Sequence, residues 1–257
     1  MSDDLGPGSG RHGGVAARPA GGIDRRRALA LLGGAGILAV GAACSSESST
    51  ASTASTRSSA STGSSTPGGG GAGDPACTLT PQQTEGPYYL DLDEVRSDIT
   101  EDRQGSPLSL AVTVVDAASC EPIKDVAVDV WHCDAEGVYS GFDEGFGETF
   151  LRGTQITDRR GVAEFATIYP GWYPGRSVHI HLKVHTSGSV EHTGQLYFDD
   201  GLAPEVYGQG VYADRGEPDT TNDADFLFAE GGSATLMTPT GDPSGFRAQV
   251  TVGVSSA

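Results

Sequence analysis

Residues 176–185 have the sequence Arg-Ser-Val-His-Ile-His-Leu-Lys-Val-His, which is the strongest indication of the fold class. Its period of two is typical of a strand with one face on an apolar core. The apolar face comprises Val178, Ile180, Leu182 and Val184. The other face carries His179, His181, Lys183 and His185. Because residues two apart in a strand project to the same side, the first two imidazoles form half of a potential metal site.

The same alternation recurs on both sides of this stretch. It is carried by Leu110, Val112 and Val114, then Val126, Val128 and Val130, then residues 163–168, and finally Phe246, Ala248, Val250, Val252 and Val254. Turn signals such as Arg160-Gly161 and Pro174-Gly175 separate the runs, and no long helical period interrupts them. The pattern predicts an all-β domain, an antiparallel β-sandwich, with long loops over residues 199–245.

The front of the chain is typical of an export signal. Arg25, Arg26 and Arg27 precede residues 28–43, which carry no charge. Paired arginines suggest the twin-arginine route. The run ends at Gly41-Ala42-Ala43-Cys44, which resembles a bacterial lipobox, so cleavage before Cys44 and lipidation of its thiol would anchor the protein to the membrane. A plain transmembrane anchor is the alternative, which this short, glycine-containing run disfavours. We therefore predict an export signal over residues 1–44 and a location at the outer face of the bacterial cytoplasmic membrane, or secretion.

A flexible linker is predicted over residues 45–76. Ser, Thr and Gly account for 22 of the 29 residues from 45 to 73. The segment therefore has too few apolar side chains to form a core. The folded domain is predicted over residues 77–257. Of its cysteines, Cys77 and Cys120 are the favoured disulfide pair and Cys133 is the expected buried free thiol, although three pairings are open.

The charge of the chain excludes one class of partner. Its formal net charge is −18, and residues 1–76 hold six basic and five acidic side chains, so the acidity belongs to the domain. Such a negative field repels phosphate backbones, which argues against nucleic-acid binding. The four cysteines form no C-x-x-C pair, which argues against a zinc ribbon.

Two tyrosines lie next to predicted strands, one of which is the strand that carries His179 and His181. Tyr173 lies in a Pro/Gly-bounded loop that leads directly into that strand, and Tyr139 follows a strand and turn over residues 129–138. A loop tyrosine near two histidines can reach the same metal, although a place at the edge of the core is the commoner use of a tyrosine. The other domain histidines, His132, His185 and His192, have no partner that the sequence indicates, and a solvated strand face is the favoured interpretation of His185.

Several short motifs together make the pattern specific. They are Thr84-Glu85-Gly86-Pro87-Tyr88-Tyr89, residues 129–131 and 139–140, Leu151-Arg152-Gly153, Thr157-Asp158, residues 165–173, Arg176-x-x-His179-x-His181 and Gln195-Leu196-Tyr197-Phe198. In this order they resemble the intradiol ring-cleavage dioxygenases, the family of catechol and protocatechuate dioxygenases. The resemblance runs from about residue 80 to about residue 200.

The resemblance implies a cofactor and its ligands. It implies one non-haem ferric ion per domain, held by Tyr139, Tyr173, His179 and His181. Tyr169 is the alternative to Tyr173, which is preferred because it follows a Pro-Gly-x step as the family's ligand does. Phenolate is a hard anionic donor that suits Fe(III), whereas two histidines and a carboxylate would have suggested Fe(II).

The resemblance also implies roles around the substrate. Arg176 matches an arginine that stabilises negative charge on the substrate, Gln195 matches a polar residue at the same ring face, and Tyr139 is the ligand expected to leave the metal and take up a proton. Gly86, Pro87 and Tyr88 match a segment lining the substrate pocket.

The implied activity is oxidative ring cleavage. The enzyme would use O2 to break the bond between the two hydroxylated carbons of an ortho-diphenol, giving a muconate-type diacid. A non-catalytic surface β-sandwich that binds phenols, glycans or a protein partner is the alternative, and a zinc or copper enzyme built on His179 and His181 is a third hypothesis. The residues do not indicate the oligomeric state or the substituents on the ring.

Overall fold

The computed structural model describes residues 78–255, apart from 93 and 188–189, and at 187, 190 and 191 it describes the backbone alone. The predicted export signal, Cys44, the linker and Cys77 lie outside the described residues. Within the described part, no helix is both long and apolar enough to cross a membrane. All described residues belong to one compact unit of the chain.

The described part of the chain forms nine strands and two short α-helices. In chain order these are β1 (Pro107–Asp116), β2 (Ala127–Trp131), β3 (Arg152–Ile156), β4 (Val162–Ile168), β5 (His179–Ser187), β6 (Val190–Phe198), α1 (Ala203–Tyr207), α2 (Phe226–Ala229), β7 (Leu236–Met237), β8 (Thr240–Asp242) and β9 (Gly245–Val254). Four 3-10 turns flank the helices, at Asp200–Leu202, Gly210–Tyr212, Asn222–Ala224 and Gly232–Thr235.

The strands form two sheets. One has the order β4-β1-β9-β8 and the other has the order β3-β2-β5-β6-β7. Both are mixed, because β1 pairs parallel with β9 and β6 pairs parallel with β7, while the other pairs are antiparallel. The expected all-β sandwich is confirmed, but its purely antiparallel character is not. A parallel pair needs a long crossover, and the stretch between β6 and β7 supplies one for that pair.

The inner faces of the two sheets share one apolar core. Side chains of β1, β2, β5 and β9 meet in it, with Val112, Val128, Ile180 and Val252 all fully buried. The apolar face of β5 predicted from its alternation therefore faces this core, so its histidines lie on the opposite face of the same sheet.

The stretch 199–245 is more structured than the predicted long loops. It holds both α-helices, all four 3-10 turns, and the short strands β7 and β8. These elements are too short for a helical or strand period to show in the sequence. The cysteines agree with expectation where they can be compared: Cys133 is a buried free thiol and Cys120 is disulfide-bonded, while its predicted partner Cys77 lies outside the described residues.

Candidate active site

The candidate site is built on one row of residues across the second sheet. The strand registers place Arg152 of β3 opposite Trp131 of β2, Trp131 opposite His181 of β5, and His181 opposite Gln195 of β6. All four are at most 3% exposed. The Trp131 and His181 rings stack at a centroid distance of 4.9 Å with 7° between their planes. The indole therefore fixes the plane of this imidazole.

The two histidines of β5 converge through their Nε2 atoms. These atoms lie 3.2 Å apart. Nδ1 of His179 donates to the carbonyl oxygen of Ser177 at 2.7 Å, so its Nε2 carries the free lone pair. Nδ1 of His181 is buried without a hydrogen-bond partner in the described part of the chain. The strand spacing predicted this shared face, and the structure places both rings in one buried pocket.

Two tyrosines complete the cluster. The Tyr173 hydroxyl donates to Nε2 of His179 at 3.0 Å. The Tyr139 ring lies 5.7 Å from the Tyr173 ring and 6.0 Å from the His181 ring, and its buried hydroxyl has no hydrogen-bond partner among the residues described. Tyr169, the alternative to Tyr173, packs instead against Phe198 in the main core. The geometry thus favours Tyr173.

Burial governs the protonation of this cluster. Burial, with the charge of Arg176 adding to it, lowers the pKa of His179 to about 3 and lowers that of His181 as well. Burial also raises the pKa of Tyr173 to about 12, and it raises the pKa of Tyr139 well above the ordinary value of a phenol. The imidazoles are therefore neutral at physiological pH, the form that binds a metal, and the phenols need a nearby cation to ionise.

These four side chains fit a trivalent metal ion. Two imidazole nitrogens and one phenol oxygen already converge, and the Tyr139 hydroxyl is a buried polar group in need of a partner. Among residues 78–255 as described, no cluster of three or more His, Cys, Asp or Glu side chains that could hold a metal is present. A metal centre at this place would thus depend on tyrosine oxygens, which favours Fe(III) over zinc or Fe(II).

Arg176 and Gln195 lie together beside the histidines. Nη2 of Arg176 donates to Oε1 of Gln195, and Nε2 of Gln195 donates to the carbonyl oxygen of Thr84 at 3.2 Å. The Arg176 side chain is 12% exposed and its Nε donates to Asp225. A positive group is thus held beside the metal-binding candidates, with N–H donors left to meet negative charge.

The segment 84–90 covers the site. Gly86 has a φ of +71°, and a Cβ there would lie 3.3 Å from Cε1 of His181, so the backbone passes closely over that ring. Tyr88 stacks on Tyr139 with 4.3 Å between the ring centroids, and Pro87 is exposed. Gly86 and Tyr88 therefore contact the candidate cluster, Pro87 lies between them in the chain, and their role in lining a substrate pocket stays a prediction.

Arg152 connects this segment to the loop between β2 and β3 that carries Tyr139. It donates through Nη1 to the carbonyl oxygen of Tyr88 at 2.7 Å, and through Nη2 and Nε to Ser140. Arg152 belongs to the Leu151-Arg152-Gly153 motif, but that motif by itself indicates no role for it. Its repeated contacts with backbone carbonyls arise from the fold and leave no local signal in the sequence.

The far end of the same strand face forms a different cluster. Asp129 accepts from Thr154, from Nε2 of His185 at 2.9 Å and from the Tyr89 hydroxyl at 3.1 Å. Nζ of Lys183 lies 2.6 Å from Glu85 Oε2. The expectation of a solvated, unpartnered His185 is wrong, because β2 places a buried carboxylate opposite this part of β5. His132 is likewise bonded through both ring nitrogens, with Cys133 O and Thr167 Oγ1.

A surface cavity of about 410 Å3 adjoins the site. Its lining includes the rings of Tyr88, Tyr139 and Phe142, together with Glu136 and Arg215. A second cavity of about 420 Å3, lined in part by Arg103 and Val211, contacts none of the predicted site residues. Of these two cavities, only the first borders the candidate site.

Comparison with known proteins points to one family. The family model Dioxygenase_C, described as "Dioxygenase", matches residues 81–207. The intradiol ring-cleavage dioxygenase from Tetranychus urticae is 33% identical; the match covers 70% of this chain and 96% of that one, with a TM-score of 0.67. The dioxygenase domain of a carbohydrate-binding fusion protein from Streptomyces sp. SirexAA-E is 31% identical, with 70% and 99% covered and a TM-score of 0.55.

Curated relatives are similar over a shorter span. A chlorocatechol 1,2-dioxygenase from Cupriavidus pinatubonensis is 30% identical over 140 residues, which is 46% of this chain and 54% of the relative. The chain thus spans about half the length of the curated relatives it matches. Since the two solved relatives are covered almost completely at over 30% identity, the chain belongs to the intradiol ring-cleavage dioxygenase family.

Proposed function

We propose that this domain is a non-haem Fe(III) intradiol dioxygenase. It uses O2 to cleave the bond between the two hydroxylated carbons of a catechol-type ring and gives a muconate-type diacid that contains both oxygen atoms. The observation that carries the proposal is the convergence of His179, His181 and Tyr173 beside the unpartnered hydroxyl of Tyr139. Family membership supports the reaction class.

The four residues would hold the ion as two neutral imidazoles and two phenolates. Two phenolate charges offset most of a trivalent charge, which suits a buried site. When bound there, Fe(III) supplies Lewis-acid chemistry that activates an ortho-diphenol toward O2. Tyr139 is buried and Tyr173 is partly buried, and burial raises the pKa of both phenols, so a bound cation would be what makes their ionised forms favourable.

The chain's own residues would handle substrate charge and protons. Arg176 meets the negative charge that develops on the substrate, and Gln195 holds the guanidinium from the other side. In its phenolate form, Oη of Tyr139 would take up a proton from a substrate hydroxyl and become a neutral phenol; it has no other hydrogen-bond partner in the described part of the chain. Gly86 lets the covering segment pass close to His181, which excludes water from the reacting groups.

The visible absorption spectrum of the iron-loaded protein tests this proposal. Tyrosinate bound to Fe(III) gives a charge-transfer colour, and anaerobic catechol should shift that band, after which admission of air should yield a diacid with one O2 consumed per ring. The Tyr173→Phe variant should lose colour and activity together. A wild-type protein that stays colourless after iron loading, or binds zinc or copper in preference, would contradict the proposal.

We also propose that the enzyme acts outside the cytoplasm as a lipoprotein. Arg25 to Arg27, the uncharged run 28–43 and the lipobox-like Cys44 support export and lipidation, and the disulfide of Cys120 supports an oxidising compartment. Membrane fractionation tests it: the wild-type chain should sediment with membranes and the Cys44→Ser variant should not. Equal membrane recovery of the two would contradict the lipid anchor.

A further inference from the structure

A carboxylate beyond the family match contacts the candidate site. Asp225 lies past residue 207, where the family match ends, in a stretch that the sequence indicates only as loop. It is 1% exposed and caps the N-terminus of α2, where its Oδ1 accepts from the backbone N–H of Leu227 at 2.9 Å. Helix capping accounts for the hydrogen bond of Oδ1 but not for the contacts of Oδ2.

The second oxygen faces the site. Oδ2 of Asp225 accepts three hydrogen bonds, each 2.9 Å long: from Nε of Arg176, and from the backbone N–H and the hydroxyl of Ser177. The Asp225 side chain is fully buried and that of Arg176 nearly so. A buried carboxylate with three donors on one oxygen holds those donors in one orientation relative to one another.

These contacts connect Asp225 to Gln195 and to His179 through one intervening residue in each case. Arg176, which it holds through Nε, reaches Gln195 with Nη2. Ser177, which it holds through two donors, accepts the Nδ1 proton of His179 on its carbonyl oxygen. One oxygen thus sets the guanidinium relative to the first histidine of β5.

An amide could not replace this carboxylate. Burial alone would raise the pKa of Asp225, but hydrogen bonds from Ser177 and the charge of Arg176 outweigh it, so the pKa is lowered and the group is ionised. Asn would have to place its N–H2 group toward either the Leu227 N–H or the three donors on Oδ2. Either choice sets donor against donor and leaves Arg176 without its counter-charge.

We propose that Asp225 is a positioning residue for ring cleavage, acting through Arg176 and located relative to His179 by its bonds to Ser177. The inference rests on the proposed function, because the orientation of Arg176 matters only if negative charge develops on a bound substrate. Asp225 itself contacts neither the candidate ligands nor the substrate position.

The test compares Asp225→Asn with Asp223→Asn in the full iron-loaded chain. Asp223 is exposed in the neighbouring 3-10 turn, so its variant makes the same charge change two residues away without contact to Arg176. In Asp225→Asn, kcat should fall about 100-fold while KM changes less than about threefold, because the lost interaction strengthens only in the transition state. Iron content, the visible band and its shift with catechol should stay as in wild type.

A double variant separates positioning from general destabilisation. In an Arg176→Gln background, Asp225→Asn should lower kcat by less than about threefold further, since the residue through which it acts is gone. If the two losses multiply fully, Asp225 does not act through Arg176 and the proposal is overturned. A kcat of Asp225→Asn equal to that of Asp223→Asn overturns it as well.

If Asp225→Asn fails to fold or to bind iron, Ser177→Ala decides. It removes one of the three donors to Oδ2 and should lower kcat about fivefold with the visible band unchanged. Wild-type kcat in that variant overturns the proposal. A wild-type protein without colour or ring cleavage would instead reject the proposed function itself, before any variant is compared.

Discussion

Two neighbouring rows of residues on the same sheet face have taken different roles. The row through His181 joins Arg152, Trp131 and Gln195, and the next row, through Lys183, joins Thr154, Asp129 and Thr193. Both rows lie across β3, β2, β5 and β6, and they are two residues apart on each strand. Only the first row lies beside neutral side chains whose nitrogen and oxygen atoms converge as potential metal ligands.

The difference lies in what covers each row. The His181 row meets an aromatic cluster that contains Tyr88, Tyr139 and Tyr173 and supplies no carboxylate. The Lys183 row meets Glu85 and holds Asp129 among three donors, so its charges are neutralised within the protein. Identical backbone geometry thus yields a metal-binding candidate or a closed ionic cluster, depending on whether a counter-charge is already present.

Removing a donor from the His181 row should have the largest effect. Tyr173→Phe should lower kcat/KM more than about 1,000-fold and abolish the visible band, because a candidate ligand is lost. Steady-state kinetics and the absorption spectrum measure this. Tyr169→Phe is the matched control, since Tyr169 packs in the main core against Phe198. The ligand assignment is rejected if Tyr169→Phe loses the colour and Tyr173→Phe keeps it.

Breaking the Lys183 row should weaken the fold and spare the colour. Asp129→Ala removes a buried carboxylate from three donors and should lower the free energy of unfolding by about 3 kcal/mol. Urea denaturation of the iron-loaded protein measures it. Asp125→Asn, at an exposed position of the preceding turn, should change stability by less than about 0.5 kcal/mol. Loss of the visible band in a folded Asp129→Ala protein would show that the two rows are not independent.

Acid should act on the buried imidazole next to the His181 row. Burial lowers the pKa of His132 to about 4, below the ordinary value of 6.5. The unfolded chain therefore binds this proton first, so the stabilisation is complete above pH 6.5 and is lost as the pH falls toward 4. It amounts to about 3 kcal/mol over the whole window.

Unfolding midpoints of the iron-free protein between pH 7 and pH 5 measure this loss. The His132→Gln variant should show a shallower slope over the same range than wild type. Equal slopes for the two proteins would refute the contribution of His132.

The smallest effect is expected at the outer edge of the Lys183 row. Glu85 is 43% exposed in its side chain, so Glu85→Gln should lower the free energy of unfolding by no more than about 1 kcal/mol. The ammonium of Lys183 keeps its place over the Tyr89 ring, 3.8 Å from the centroid. Thermal denaturation at low and high salt measures the change. A loss as large as that of Asp129→Ala would mean that Glu85, rather than Asp129, holds this row together.

Much of the candidate site is local in the sequence and was predictable. His179 and His181 share a face because strand geometry is local, and Tyr173 precedes them by only a short loop. Gly86, Tyr88, Arg176 and Gln195 were carried by the family resemblance, and the structure places them around the same point. Their roles stay predictions until the variants are measured.

Other parts had no local signal. Asp129 reads as the polar face of a strand, yet it meets His185, which lies 56 residues further along the chain. In the sequence, Asp225 is one of many acidic residues in a stretch predicted to be loop. In the structure it accepts a hydrogen bond from Arg176, which lies 49 residues earlier in the chain. Such pairs depend on strand order and on where a loop returns, and neither is set by the residues adjacent to the pair.

The local sequence therefore predicts the all-β class, the core-facing side of β5, and the two histidines that point together on its other side, because side-chain alternation is a property of each strand alone. Tertiary contacts account for the parallel pairing of β9 with β1, for the neutralisation of the far end of β5 by Asp129, and for the contact of Asp225 with Arg176 from beyond the family match. These contacts join segments far apart in the chain, and only the packing of the whole domain brings them to hydrogen-bond distance.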